Sequence, residues 1–199
     1  MLLERKTMQG IISAVRRNSL AENAGIKAGE KLCAVNGVSV HDIIELSYLV
    51  ADEQIVLTIE DSECRQRQIV IEKYTDEELG LEFEAAVFDG VTTCYNNCVF
   101  CFVDQMIPGM RESLYVRDDD YRLSFLYGNF ITLTNMKEED FEQIIKTHMS
   151  PLYISVHATR PEVRCQMMNN RFAGELMSKI NRLVEAGISI HTQIVCCPG

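Results

Sequence analysis

The sequence predicts an α/β protein in which a small α+β domain precedes a domain of parallel β/α units. Residues 10–73 alternate short β-rich runs with brief helical patterns. Residues 129–199 instead follow the order strand, helix, strand, helix, strand, which is typical of parallel sheets with crossover helices. We therefore expect domains over 1–75 and 85–199, joined by an acidic linker over 76–84.

Composition and charge narrow the class of protein. Of the 199 residues, 47% are hydrophobic and 24% are charged, as in folded rather than disordered chains. The net charge of −10 argues against nucleic acid as the main partner, because phosphate binding requires a concentrated basic surface. No apolar run approaches the roughly 20 residues of a membrane span, and the first ten residues lack the apolar core of a secretory signal. We therefore expect a cytoplasmic protein whose eight cysteines are mostly reduced.

The first domain is predicted to contain five strands and two short helices. Gly25 is expected to end the first helix, and Asn36-Gly37 favours a tight hairpin turn because both residues tolerate positive φ. The strands are predicted at 10–15, on both sides of the turn within 31–40, and at 54–60 and 67–73, and the helices at 18–25 and 41–51.

Within this domain, the segment SLAENAGIKAGEKLCAVNGVSV (19–40) resembles the PDZ pattern of a short helix, Ala-Gly-Ile, Gly-Glu, a strand and Asn-Gly. PDZ domains add an extended peptide to a sheet edge and bind its terminal carboxylate with backbone amides, so the resemblance implies a peptide or protein partner. No glycine-containing loop precedes the first strand. The nearest candidate is LGLEF, in which Leu79, Gly80 and Leu81 would bind the peptide. Its flanking glutamates would repel a carboxylate, which leaves a docking or lid module as the alternative.

The second domain is expected to begin with a strand over 82–91 that leads into a cysteine-rich loop. Asn135 is expected to cap one helix, which carries carboxylates in its first turn, and Gly187 to end another. Further strands are predicted at 129–135, 151–159 and 188–199, and helices at 136–148 and 164–187.

The chain ends in CCPG, where a strand-to-helix loop would begin. A parallel sheet of about four strands would leave an exposed edge and an uncovered apolar face. We therefore expect this chain to be an N-terminal fragment of a longer protein.

The loop CYNNCVFC (94–101) places three cysteines at x3 and x2 spacing. Thiolates on a curled loop can ligate an iron–sulfur cluster, and three ligands on four irons leave one iron open to a small molecule. The alternative is a structural zinc site, which needs four ligands. The fourth would come from Cys165, Cys196, Cys197 or a distant histidine.

The arrangement Cys94-x3-Cys98-x-Phe100-Cys101 resembles the radical S-adenosylmethionine (radical SAM) superfamily. The segments CVFCFVDQMIPGMRESLYVRDDDYRLSFLYGNFITLTN and SPLYISVHATRPEVR are similar to a bacterial radical SAM family of unknown function with an N-terminal PDZ-like domain. This resemblance covers nearly the whole chain and implies the first part of a partial β/α (TIM-like) barrel, with the cluster loop at the C-terminal end of the strands.

The resemblance also implies the chemistry. Cys94, Cys98 and Cys101 would ligate a [4Fe-4S] cluster whose open iron binds SAM. An electron from a donor such as flavodoxin or ferredoxin would then cleave SAM to a 5′-deoxyadenosyl radical, which acts on an unknown substrate. Phe100 would pack near the adenine of SAM. Thr134 and Asn135 occupy the position of the Gly-Gly-Glu motif that binds the amino group of SAM in the superfamily.

Alternate residues of the third and fourth strands of the second domain are expected to face the pocket. Those residues are Ser155, His157, His191 and Gln193, of which Gln193 is assigned to SAM.

Two alternatives to the enzyme stay open. The chain could be a non-catalytic Fe–S protein for electron transfer or sensing, or a PDZ-type adaptor in which the second domain is only structural. The run Asp118–Asp120, between Arg117 and Arg122, could be a solvated turn with local ion pairs or an active-site lid.

Overall fold

A computed structural model describes residues 10–197 of the chain. These residues divide into two units between Gly90 and Val91. Within the described span, no helix has both the length and the apolar character needed to cross a membrane.

The first unit is built on a six-stranded antiparallel sheet in the order β5-β4-β2-β1-β6, with β3 paired to β2. Its strands are β1 (Gly10–Val15), β2 (Lys31–Val35), β3 (Val38–Ser39), β4 (Gln54–Glu60), β5 (Gln66–Glu72) and β6 (Leu81–Phe83). Its helices are α1 (Leu20–Asn23) and α2 (Ile43–Leu49). The strands and helices predicted within 10–73 are confirmed.

Local chemistry explains these elements. Ile55, Leu57 and Ile59 alternate along β4 and are fully buried, which is the pattern of a strand with one face on the core. The side chain of Ser19 accepts a hydrogen bond from the Glu22 backbone at the start of α1. The expected Asn36-Gly37 turn is present, with positive φ at both residues.

The linker predicted over 76–84 and the strand predicted over 82–91 are both corrected. β6 pairs with β1 of the first unit's sheet, so these residues complete that sheet instead of leading into the second unit. Phe88 is 3% exposed and its ring lies 4.9 Å from that of Phe83, within the same core. The acidic composition concealed this strand, because Glu82 is exposed while Leu81 and Phe83 turn inward.

The second unit alternates helices with parallel strands. Its helices are α3 (Tyr121–Tyr127), α4 (Glu138–Thr147), α5 (Pro161–Met168) and α6 (Leu176–Glu185), and its strands are β7 (Leu152–Ser155) and β8 (Ile190–Gln193). Short 3-10 helices cover Val103–Gln105, Glu112–Tyr115 and Ala173–Glu175. β7 pairs in parallel with β8, and on its other side Ile154 forms a parallel bridge with Ile131.

Several predicted elements of the second unit are shorter than expected, and β7 and β8 occupy only parts of the strands predicted over 151–159 and 188–199. The strand over 129–135 is reduced to the bridge at Ile131, because the backbone turns at Leu133, where φ is +60°. The helix over 164–187 is interrupted at Asn169, whose φ of +46° ends α5. Helix α3, which was not predicted, begins at the capping side chain of Asp120 and ends at Gly128.

Gly80 offers a test of how β6 is fixed in the first unit. Its φ is +78°, and an added Cβ would lie 2.7 Å from Ser19 Oγ, which is too close for a contact. We expect Gly80→Ala to lower the unfolding free energy by roughly 2–5 kcal/mol, since left-handed strain and overpacking add together. Hydrogen–deuterium exchange of the β1 and β6 peptides across a urea series would measure this for the first unit alone.

Gly29→Ala is the matched control, because Gly29 also has positive φ but open space around its Cβ position. It should cost only about 1–2 kcal/mol of conformational strain. Equal losses for the two variants would show that the contact with Ser19 does not constrain the loop before β6.

Candidate metal and cofactor site

A cavity of about 580 Å³ opens in the second unit. Ser155 and Gln193, the last residues of β7 and β8, both line it, so it lies at the C-terminal ends of the parallel strands. The three cysteines of the 94–101 loop line the same cavity, together with Phe100 and His157.

The fold brings seven predicted residues to this cavity. They are the three cysteine ligands and the four pocket or cofactor residues Phe100, Ser155, His157 and Gln193.

Three predicted residues do not line the cavity. Thr134 hydrogen-bonds to Asn96, which does line it. The Nδ2 atom of Asn135 donates to the Thr93 carbonyl at 3.0 Å, and its buried Oδ1 atom has no hydrogen-bond partner among residues 10–197. His191 lies two residues before the end of β8. Its ring stacks on that of Tyr153, with centroids 4.7 Å apart.

The cysteine loop is docked onto the end of helix α5. The backbone N–H groups of Asn97 and Val99 donate to the carbonyls of Met168 and Met167, at 3.2 and 2.9 Å. The last carbonyls of a helix have no partner within the helix, so they are available to such a loop. The Cys94 N–H donates to the Arg117 carbonyl at 2.7 Å, which fixes the start of the loop.

The three thiols are half-buried and close enough to influence one another. Burial raises the pKa of Cys94, and burial together with the neighbouring Cys94 and Cys101 raises the pKa of Cys98 to about 11. Ligands of this kind must lose their protons when they bind a metal. Cysteine thiolates are the usual ligands of iron–sulfur clusters, and three cysteines line this one cavity.

Within residues 10–197, no group of three or more His, Cys, Asp or Glu side chains is arranged to hold a metal ion. The cysteines considered as a fourth zinc ligand do not line the cavity. The Cys165 thiol lies 3.4 Å from the Arg171 carbonyl, and Cys196 and Cys197 are exposed.

Arg164, on helix α5, is a site residue that the sequence reasoning missed. Its side chain is 1% exposed, and burial lowers its pKa. The guanidinium donates four hydrogen bonds of 2.5 to 2.9 Å to backbone carbonyls, which belong to Thr132, Ser155, Val156 and Ala173. One side chain thus joins the segment after Ile131, the end of β7 and the chain before α6.

The aspartate run at 118–120 is not a solvated turn. Asp119 and Asp120 are 2% and 1% exposed. Asp120 accepts hydrogen bonds from the Thr92 backbone and the Arg122 guanidinium, and Asp119 accepts from Thr132. The signal available in the sequence was the position of Asp120 immediately before α3, as an N-cap.

His157 is held neutral at the edge of the cavity. Its Nδ1 atom accepts a hydrogen bond from the Val195 backbone at 3.2 Å, so the ring proton lies on Nε2. Its ring packs on Phe100 with centroids 4.3 Å apart. Burial, with a smaller contribution from Arg164, lowers its pKa to about 4.

The lowered pKa of His157 predicts a pH-dependent stability. The unfolded chain binds a proton near pH 6.5 and the folded chain only near pH 4. The free energy of unfolding is therefore highest above pH 6.5, where His157 is neutral in both states. It falls by roughly 3 kcal/mol in total as the pH drops toward 4, because the unfolded state binds the proton first. Urea unfolding of the second unit at several pH values would measure this slope.

His157→Asn is the informative variant, because asparagine tolerates the φ of +61° at this position and its Oδ1 can accept from Val195. This variant should weaken the dependence of the unfolding free energy on pH between pH 4 and 6.5. His148→Asn is the control, since His148 also has positive φ, at +50°. An unchanged slope in His157→Asn would contradict the assignment.

Comparison with known protein families gives two matches. A family model described as a radical SAM-like domain matches residues 73–199, and one described as a PDZ domain matches residues 11–61. No curated protein matches the chain. The first match begins at Lys73, although residues 73–90 lie in the first structural unit. Because that match covers more than half of the chain, the protein belongs to the radical SAM-like family and carries an N-terminal PDZ domain.

Proposed function

We propose that the second unit binds a [4Fe-4S] cluster through Cys94, Cys98 and Cys101, binds SAM in the adjoining cavity, and acts as a radical SAM enzyme. The observation that carries the proposal is that all three cysteines line one cavity at the C-terminal ends of parallel strands. That end of a β/α fold is where active sites lie. The cavity of about 580 Å³ is also within the usual range for small-molecule sites.

A bound cluster would supply the electron that cleaves SAM into methionine and a 5′-deoxyadenosyl radical. The residues around it would bind and orient SAM. Phe100 offers an apolar ring, Ser155 and Gln193 offer polar groups, and neutral His157 offers its Nε2–H as a donor. The contact of Asn135 with SAM stays a prediction, because Asn135 does not line the cavity.

The proposed architecture is the first part of a partial β/α barrel. Strands β7 and β8 pair in parallel, and the bridge at Ile131 is parallel to β7. Helices lie between these segments in sequence. An electron donor such as flavodoxin or ferredoxin stays a prediction.

The test is reductive cleavage of SAM. The full chain, reconstituted anaerobically with iron and sulfide, should release 5′-deoxyadenosine when dithionite and SAM are added. Cys98→Ala should abolish the product, since it removes one of the three ligands. Cys64→Ala should not, because Cys64 is exposed and lies in the first unit.

A full cluster without 5′-deoxyadenosine would favour the non-catalytic Fe–S protein over the enzyme. Product formation by Cys98→Ala at the rate of the unchanged chain would contradict the ligand assignment.

Peptide binding by the first unit is a second proposal. β6 is the last strand in the sheet order, and a sheet edge is where PDZ domains add a peptide. Leu81 begins this strand. Leu79 is 7% exposed and belongs to the core, and Gly80 packs against Ser19, so these two residues also have structural roles.

A further inference from the structure

Asn96 lies between two proposed cluster ligands, yet its side chain is only 2% exposed. Its Nδ2 atom lies 3.2 Å from the Sγ atom of Cys94. The neighbouring Asn97 is exposed, so the loop buries one of two adjacent asparagines and not the other.

The orientation of the Asn96 amide is fixed from one side by a buried carboxylate. Asp119 accepts hydrogen bonds from the Thr132 backbone N–H at 2.5 Å and from the Thr132 hydroxyl at 2.6 Å. Because the hydroxyl has a single proton and donates it to Asp119, its oxygen must accept from Asn96, whose Nδ2 lies 3.1 Å away.

The other end of the amide is fixed from helix α5. The Nδ2 atom of Asn170, just beyond α5, donates to Asn96 Oδ1 at 2.6 Å. The two contacts agree on which end of the amide carries the hydrogens. The N–H group therefore faces Cys94, and the oxygen faces Asn170.

Hydrogen bonds to the sulfur ligands of an iron–sulfur cluster set its reduction potential. A donor stabilises the more negative, reduced state, so it raises the potential. Such partners also orient the ligand, and their loss weakens metal binding by about 10- to 100-fold.

From these contacts we infer that Asn96 is a positioning residue for the cluster. Its amide orients Sγ of Cys94 and raises the reduction potential of the cluster, and Asp119 and Thr132 keep the amide in that orientation. This inference rests on the proposed function, because it requires that Cys94 be a cluster ligand.

The test compares Asn96→Leu with Asn97→Leu in the full, anaerobically reconstituted chain. Redox titration followed by EPR should give a lower midpoint potential for Asn96→Leu, and a chelator should remove its iron at least about tenfold more readily. Asn97→Leu should match the unchanged chain in both measurements, since its side chain is exposed.

Thr132→Val keeps the inference testable if Asn96→Leu does not fold or holds no cluster. It removes only the hydroxyl that orients the amide, so its potential should shift in the same direction by a smaller amount. An unchanged potential in Thr132→Val, or in a cluster-loaded Asn96→Leu, would overturn the role of Asn96 alone. An unchanged chain that binds no cluster would overturn the proposed function and this inference with it.

Discussion

The buried guanidinium of Arg164 is the interaction on which the candidate site depends. A buried cation is costly unless its hydrogen bonds are satisfied, and here four backbone carbonyls satisfy them. Those carbonyls lie at the end of β7 and in the segments that follow Ile131 and precede α6. Arg164 therefore fixes the ends of the parallel strands relative to helix α5, whose last turn in turn holds the cysteine loop.

A second set of buried polar groups fixes the loop from the opposite side. Asp119, Thr132 and Asn96 connect the segment before α3 to the segment after Ile131 and to Cys94. Buried polar networks are stabilising only when their members are satisfied, and such networks then hold one conformation. The loop is thus anchored by these contacts, and its three cysteines line the cavity.

Local patterns in the sequence were sufficient to identify the cysteine triplet and to predict most elements of the first unit. Cysteine spacing and strand alternation are properties of neighbouring residues, so they can be recognised without the fold. Arg164 and Asn96 could not be recognised, because the fold brings their hydrogen-bond partners together from several separate segments. Asn170, for example, lies 74 residues from Asn96. β6 was misread as a linker because its outward glutamate dominates the composition of a three-residue strand.

In the proposed site, three thiols on a fixed loop leave one iron of a four-iron cluster without a cysteine ligand. Mössbauer spectroscopy of the reconstituted chain tests it most directly. The account predicts about four irons per chain in a three-to-one ratio of sites, with the minor site changed by added SAM. Saturation at one metal ion per chain, or four equivalent irons that ignore SAM, would contradict it.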